Sequence, residues 1–148
     1  MYRVLLAFLF FNFCFSQNYY IYVAAESDDT VSVLKFDGET IEETDRITVG
    51  IMPTENEGPH GITIDPSGKY WYLTLAHGSP YGSLVKYSTQ NNEPLSKVEL
   101  GLFPATMEIS PKTGLIYAVN FNLHGLMRTS TVSVCLLYTS DAADEFSC

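Results

Sequence analysis

One repeated pattern limits how this 148-residue chain can fold. The segments PHGITIDPSGKYWYLTL, residues 59–75, and PATMEISPKTGLIYAVN, residues 104–120, align without a gap at a constant offset of 45 residues. Each segment contains two short β-type runs separated by a turn that holds a proline. A repeat of this kind predicts a row of small sheets, each of which buries its apolar faces against its neighbours.

Two further similarities extend the repeat. RITVG, residues 46–50, matches KVELG, residues 97–101, and IYVAAESDDTVSV from residue 21 has the same strand, loop and strand order as the later units. A unit of about this length with four short strands is typical of a β-propeller blade. We therefore predict an all-β chain that is a fragment of a β-propeller with four-stranded antiparallel blades.

The middle unit gives the expected strand positions. Strands A to D are predicted at residues 62–64, 70–75, 83–87 and 97–100. Asp65 to Gly68 has the composition of a type I turn followed by a left-handed glycine, which makes strands A and B a hairpin. Strand B is apolar or aromatic at consecutive positions, so it is expected to be covered on both faces.

At this point the chain resembles the YVTN-type β-propellers, named for a strand-B tetrapeptide. The equivalents here are Tyr22-Val23-Ala24-Ala25, Tyr72-Leu73-Thr74-Leu75 and Tyr117-Ala118-Val119-Asn120. The resemblance implies a monomeric ring of seven blades in the full-length protein. About two and a half blades are expected here: strands B to D of blade 1 at residues 19–50, blade 2 at 51–101, and part of blade 3 at 102–134. Such a fragment cannot close, so we expect exposed strand edges and apolar faces.

The two ends of the chain have compositions of their own. Residues 1–17 combine Arg3, a short apolar run and small residues near Ser16, which predicts a signal peptide and a secreted or periplasmic protein with no membrane span after cleavage. CLLYTSDAADE, residues 135–145, resembles the translation of a transposase-type sequencing-library adaptor, so residues 135–148 are interpreted as a non-native tail. The alternative is a genuine acidic tail. Excluding both ends leaves residues 18–134 without cysteine, and hence without a thiol nucleophile or a disulfide framework.

The charge excludes one class of partner. The chain carries a formal net charge of −9 at pH 7. Lys and Arg are few and scattered, so binding to nucleic acid or to an anionic membrane is disfavoured.

Three histidines are the candidate site. In a blade, B–C loops and D–A connections lie at the same end of the strands. His60 is predicted in a D–A connection, and His77 and His124 are predicted in the B–C loops of successive blades. All three are expected on the face that surrounds the central channel, where they could bind copper, zinc or haem iron. The alternative is that each imidazole only hydrogen-bonds a loop backbone.

Other side chains with ligand chemistry are predicted on the same face. Met107 and Met127 could be soft copper ligands, although packing is the default for methionine. Glu26, Asp28 and Asp29 form an acidic B–C loop that could attract cations, but solvated turn chemistry is the simpler interpretation.

Three functions fit the sequence. The first is a binding or scaffold module for an unidentified extracellular protein or small molecule. The second adds a histidine-lined metal or haem site, with copper or haem as cofactor and a redox role. The third is a lactonase-like hydrolase, since lactonases also use related propellers. No catalytic residue is specified, and whether this chain is an enzyme stays open.

Overall fold

The computed structural model describes residues 17–52, 54–77, 81–122, 129–136 and 148. Within these residues the regular structure is entirely β, with no helix. The strands are β1 Tyr19–Ala25, β2 Thr30–Phe36, β3 Ile41–Thr48, β4 Pro59–Ile64, β5 Tyr70–Leu75, β6 Ser83–Ser88, β7 Pro94–Glu99, β8 Pro104–Ile109, β9 Leu115–Asn120 and β10 Thr131–Leu136.

The strands form three antiparallel sheets in chain order. The middle sheet has four strands in the order β4-β5-β6-β7, and the flanking sheets are β1-β2-β3 and β8-β9-β10. Within each sheet, consecutive strands are neighbours, as in the up-and-down meander of a propeller blade. The predicted all-β fold built from four-stranded antiparallel blades is therefore confirmed.

The first hairpin of the middle sheet has the turn that its sequence predicts. The Gly68 amide donates to the Asp65 carbonyl at 2.9 Å, and Gly68 has a φ of 69°. The Asp65 carboxylate accepts a 2.9 Å hydrogen bond from the Tyr70 amide and one from the Ser67 amide at 3.1 Å. The buried aspartate thus fixes the turn from which β5 starts.

Two strand positions differ from the expected ones. Strand A begins at Pro59 rather than at residue 62, so the prediction that His60 lies in the D–A connection is wrong: His60 is the second residue of β4. The reason is a bulge, because Pro59 pairs with Leu75 while the regular register resumes only at Ile62. Strand D begins at Pro94, three residues earlier than expected.

The core lies between the sheets. Trp71 and Leu73 of β5 pack towards the first sheet, in a cluster with Val31 and Val49. On the opposite face of β5, Tyr72 packs towards the third sheet, in a cluster that includes Ile116 and Ala118. Trp71, Leu73 and Tyr72 are all 0% exposed, so strand B of the middle blade is covered on both faces as predicted.

The outer faces of the two flanking sheets are exposed. Ile21 and Val23 of β1 are 41% and 44% exposed, and Val132 and Val134 of β10 are 56% and 45% exposed. The expectation that this fragment presents apolar surface at its ends is confirmed.

The last strand runs past the predicted end of the propeller segment. β10 continues to Leu136, and the buried Cys135 forms a disulfide with Cys148. Residues 1–16 of the predicted signal peptide and most of the tail lie outside the described residues. Nowhere in the described parts is there a helix long and apolar enough to cross a bilayer.

Candidate functional site

Two of the three candidate histidines meet at one carboxylate. Glu26 follows β1, His60 lies near the start of β4, and His77 comes two residues after β5. The Nε2 atom of His77 lies 3.1 Å from Glu26 Oε1, and the Nε2 atom of His60 lies 3.9 Å from Glu26 Oε2. We call Glu26, His60 and His77 the rim cluster. It joins the first sheet to the second at one end of the strands, as the repeat predicted for both histidines.

The hydrogen bonds of His60 define its tautomer. His60 Nδ1 lies 2.7 Å from the carbonyl oxygen of Ala105. A carbonyl can only accept, so Nδ1 carries the proton and donates it. In the neutral ring, Nε2 then has a lone pair that faces Glu26, and 3.9 Å is too long for a hydrogen bond between the two. The hydrogen bond of Nδ1 to the third sheet therefore sets the direction in which His60 holds its Nε2 atom towards Glu26.

His77 has the opposite polarity. Its Nε2 is at hydrogen-bond distance from Glu26 Oε1, so it donates to the carboxylate. The backbone amide of His77 donates to the Glu57 carbonyl at 2.8 Å, which continues the strand ladder beyond β5. The His77 side chain is 28% exposed and that of Glu26 is 49% exposed, so the pair is accessible from solvent.

Phe103 packs against both imidazoles. Its ring contacts His77 edge-on, with centroids 4.8 Å apart, and contacts His60 in the same manner at 5.5 Å. Phe103 precedes β8 and has a φ of 53°, a left-handed conformation that is uncommon for a bulky residue. The sequence signal that could have identified it is the repeat itself, since Phe103 occupies the position that Gly58 holds 45 residues earlier.

The acidic B–C loop has a structural role in this arrangement. Asp29 accepts hydrogen bonds from the Glu57 and Gly58 amides, both at 2.9 Å. A Cβ atom at Gly58, whose φ is 63°, would overlap His77 Cδ2, and a Cβ atom at Gly50 would overlap the Asp29 carboxylate. Asp29 thus fixes the connection between the first two blades through these hydrogen bonds. The absence of a side chain at Gly58 leaves room for the His77 ring, and its absence at Gly50 leaves room for the Asp29 carboxylate.

A small cavity lies beside His77. Its volume is about 160 Å³, and Glu57, Lys97 and Tyr81 are among its lining residues. The Glu57 carboxylate is buried, accepts the amides of Ile51 and Met52 at 2.6 and 2.9 Å, and lies 3.6 Å from Lys97 Nζ. The cavity is smaller than most small-molecule sites.

One of the candidate ligands, Met107, does not belong to this cluster. Met107 is 6% exposed and packs in the core between the second and third sheets, so it has no access to the rim. His124 and Met127 lie outside the described residues. Among the residues that the structure describes, no group of three or more His, Cys, Asp or Glu side chains is arranged to hold a metal ion.

The comparisons with known proteins fit the fold. No known family profile matches this sequence, and no curated protein matches it. Similar solved structures are Kuenenia stuttgartiensis hydrazine synthase, with a TM-score of 0.65 at 24% identity over 80% of this chain and 31% of that one, and a candidate 6-phosphogluconolactonase from Bacteroides uniformis, with a TM-score of 0.61 at 18% identity over 84% and 35%. A candidate 6-phosphogluconolactonase from Bacteroides fragilis gives 0.58 at 17% identity over 78% and 31%.

These neighbours are β-propeller-like proteins, and at such identities the similarity concerns the fold. The chain spans about a third of the length of each of them. Fold and neighbours together define the chain as a segment of a β-propeller.

Proposed function

We propose that this chain is part of a YVTN-type β-propeller that acts as a secreted or periplasmic binding module, with the rim cluster as its recognition site. The observation that carries the proposal is the convergence of Glu26, from the first blade, with His60 and His77, from the second, on one solvent-accessible spot. Propellers commonly bind ligands where the loops of neighbouring blades surround the channel, and binding residues are often placed on loops held by a rigid scaffold.

The chemistry of the cluster favours a ligand that is a cation or a hydrogen-bond donor. When the His60 ring is neutral, its Nε2 and Glu26 Oε2 are both acceptors, and their separation of 3.9 Å is too long for a hydrogen bond. A positively charged or donor-bearing group placed between them would satisfy both atoms at once. An extracellular protein could supply such a group through an exposed lysine or arginine, and a small molecule could supply it through an amine.

A metal ion is the simplest ligand of that kind. The Nδ1 atom of His60 donates to a backbone carbonyl, which is the usual second bond of a metal-binding histidine. Since the described residues offer no ready group of three, the proposed site includes His124 as a further ligand. Copper or zinc would be bound by imidazole nitrogen, and a haem iron would give the full-length protein a redox role.

The metal proposal is tested by titrating the full chain with Cu²⁺ or Zn²⁺ in a calorimeter. We expect at least a tenfold loss of affinity in His124→Ala and in His60→Ala, and none in Glu39→Gln, which removes an exposed carboxylate from a distant turn. Equal stoichiometry and affinity in wild type and His124→Ala would remove His124 from the site. If neither histidine variant changes the affinity, the metal proposal is wrong while an organic ligand at the rim stays open.

The second candidate is a lactonase-like hydrolase. Two of the structural neighbours are described as candidate 6-phosphogluconolactonases. The neutral His60 imidazole would take a proton from water at Nε2 while the water oxygen bonds to the lactone carbonyl carbon. The ring ester C–O bond then breaks, and the imidazolium returns the proton to the alkoxide oxygen that leaves, which gives a hydroxy acid. We expect any lactonase activity of the full chain to fall at least a hundredfold in His60→Ala. Activity equal to that of the wild type in this variant would exclude the imidazole as the base.

A further inference from the structure

A larger cavity lies between the first two blades, on their outer side. It is lined by residues of β3 in the first blade and of β6 and β7 in the second, and its volume is about 380 Å³. Its lining comes entirely from these two blades and the connection between them. Further blades beyond either end of the chain would pack on the other faces of the flanking sheets, so they would leave this cavity open.

The walls of the cavity are mainly apolar. Val49, Leu75 and Val85 are among the lining residues, and each is at most 6% exposed, so they form its deep part. Ile51 and Leu95 also line it and are 81% and 53% exposed, so they lie at its edge. Both the volume and the apolar lining are in the range of small-molecule sites, and the exposed apolar side chains lie where a bound molecule would cover them.

A buried tyrosine supplies the polar group of the cavity. Tyr87 lines it and is 3% exposed. One face of its ring is covered by Trp71, with centroids 3.9 Å apart and planes within 7° of parallel. The Tyr87 hydroxyl makes no hydrogen bond with any residue that the structure describes. A buried donor without an acceptor is costly, so a ligand oxygen that accepts this hydrogen bond would be favoured here.

The charged groups at the cavity already have partners. The buried Glu57 carboxylate accepts the amides of Ile51 and Met52 and lies 3.6 Å from Lys97 Nζ. The exposed Glu93 carboxylate accepts a hydrogen bond from Asn91 at 2.9 Å. A charged ligand would therefore leave water without a counter-charge of its own, and an uncharged ligand is favoured.

From these contacts we propose that the cavity binds a small uncharged molecule with an apolar body and a carbonyl oxygen that accepts a hydrogen bond from Tyr87. The apolar body contacts the deep walls and covers Ile51 and Leu95 at the edge. The cavity shares Glu57 and Lys97 with the smaller one beside His77, but none of the described histidines lines it. The proposal therefore does not depend on the ligand of the rim cluster.

The test titrates the full chain with prodan, an uncharged fluorescent naphthyl ketone whose emission depends on the polarity around it. Tyr87→Phe keeps the ring but loses the hydroxyl, and it should weaken prodan binding about tenfold. Ser96→Phe places a ring in the cavity from β7 and should weaken it by about tenfold or more. Tyr70→Phe is the matched control, because Tyr70 is a half-buried tyrosine on β5 that does not line the cavity.

A second probe separates the hydrogen bond from a structural effect of the substitution. Dimethylaminonaphthalene has the same rings as prodan but no carbonyl. The ratio of the two affinities should change about tenfold in Tyr87→Phe and stay at the wild-type value in Tyr70→Phe, since a merely structural effect would weaken both probes alike.

The exposed faces of β1 and β10 are the same in all variants, so binding there cannot produce these differences. A wild type that does not bind prodan, prodan binding that Ser96→Phe leaves unchanged, or an affinity ratio that Tyr87→Phe leaves unchanged would each overturn the proposal.

Discussion

The most specific consequence of the rim geometry is that glycine is needed at position 58 because of His77. Gly58 has a φ of 63°, and a Cβ atom there would overlap His77 Cδ2. Gly68 has nearly the same backbone, with a φ of 69°, but nothing lies within 4 Å of the position of its Cβ. Comparing alanine substitutions at Gly58 and Gly68 therefore separates the free-energy cost of a left-handed alanine from the cost of displacing the His77 imidazole.

The expected magnitudes follow from the contacts. An alanine in the left-handed region costs about 1–2 kcal/mol relative to glycine, and Gly68→Ala should lose only that. Gly58→Ala should lose the same amount together with the His77 contacts, which are the hydrogen bond to Glu26 at 3.1 Å and the edge-on contact with Phe103 at 4.8 Å. These contacts add about 1–3 kcal/mol to the destabilisation.

The assay is urea unfolding followed by the fluorescence of Trp71, which is the single tryptophan of the chain and is fully buried. In a His77→Ala background the overlap disappears, so Gly58→Ala should then cost no more than Gly68→Ala. If the two glycine variants are equally unstable in the wild-type background, or if their difference survives His77→Ala, the placement of His77 against Gly58 is wrong.

Two further predictions concern the junction of the first two blades. Burial, and secondarily the charge of Glu57, raises the pKa of Tyr87 from 10.0 to about 12. The unfolding free energy should therefore fall by up to about 3 kcal/mol as the pH rises from 10 through 12. This loss of stability at alkaline pH should be smaller in Tyr87→Phe. Asn92 accepts hydrogen bonds from Tyr22 Oη and Trp71 Nε1, both at 3.2 Å, and has a φ of 58°. In urea unfolding, Asn92→Gly should lower the unfolding free energy by about 1–2 kcal/mol, because both hydrogen bonds are lost. Asn92→Ala should lower it by about 1 kcal/mol more, because alanine is strained in the left-handed conformation. If Asn92→Ala is the more stable of the two variants, the left-handed conformation of Asn92 is wrong.

The repeat made most of the fold predictable from the sequence. A turn with aspartate, proline and glycine at fixed positions determines where strand B begins, and β5 runs over the residues expected for it. The early start of β4 was not predictable in this way. Pro59 and Gly61 are poor strand residues, and they are held in the sheet by the bulged pairing with β5 and by a hydrogen bond from the Gly61 amide to Thr74 Oγ1 at 2.7 Å.

The candidate site was predictable only in part. Chain topology placed His60 and His77 at the same end of the sheets, and they meet there. Glu26 was predicted on the same face, in an acidic loop, but its pairing with the two histidines was not predicted, because an exposed glutamate has no local signal that separates it from solvated turn residues. Its partners lie 34 and 51 positions further along the chain, so only the stacking of the first two blades brings them together.

The surroundings of the rim cluster include a position at which consecutive repeats differ in residue type but share the same backbone conformation. Gly58 and Phe103 occupy the same place in successive units, and both are left-handed, with φ values of 63° and 53°. In the second blade this position must be empty of a side chain because His77 fills the space, whereas in the third blade it carries the ring that packs against His77 and His60. A bulky residue with positive φ is strained, and such strain persists only where the surroundings hold it in place. The contacts of Phe103 with both imidazoles therefore offset the cost of placing a bulky residue at a position where both units have a left-handed backbone.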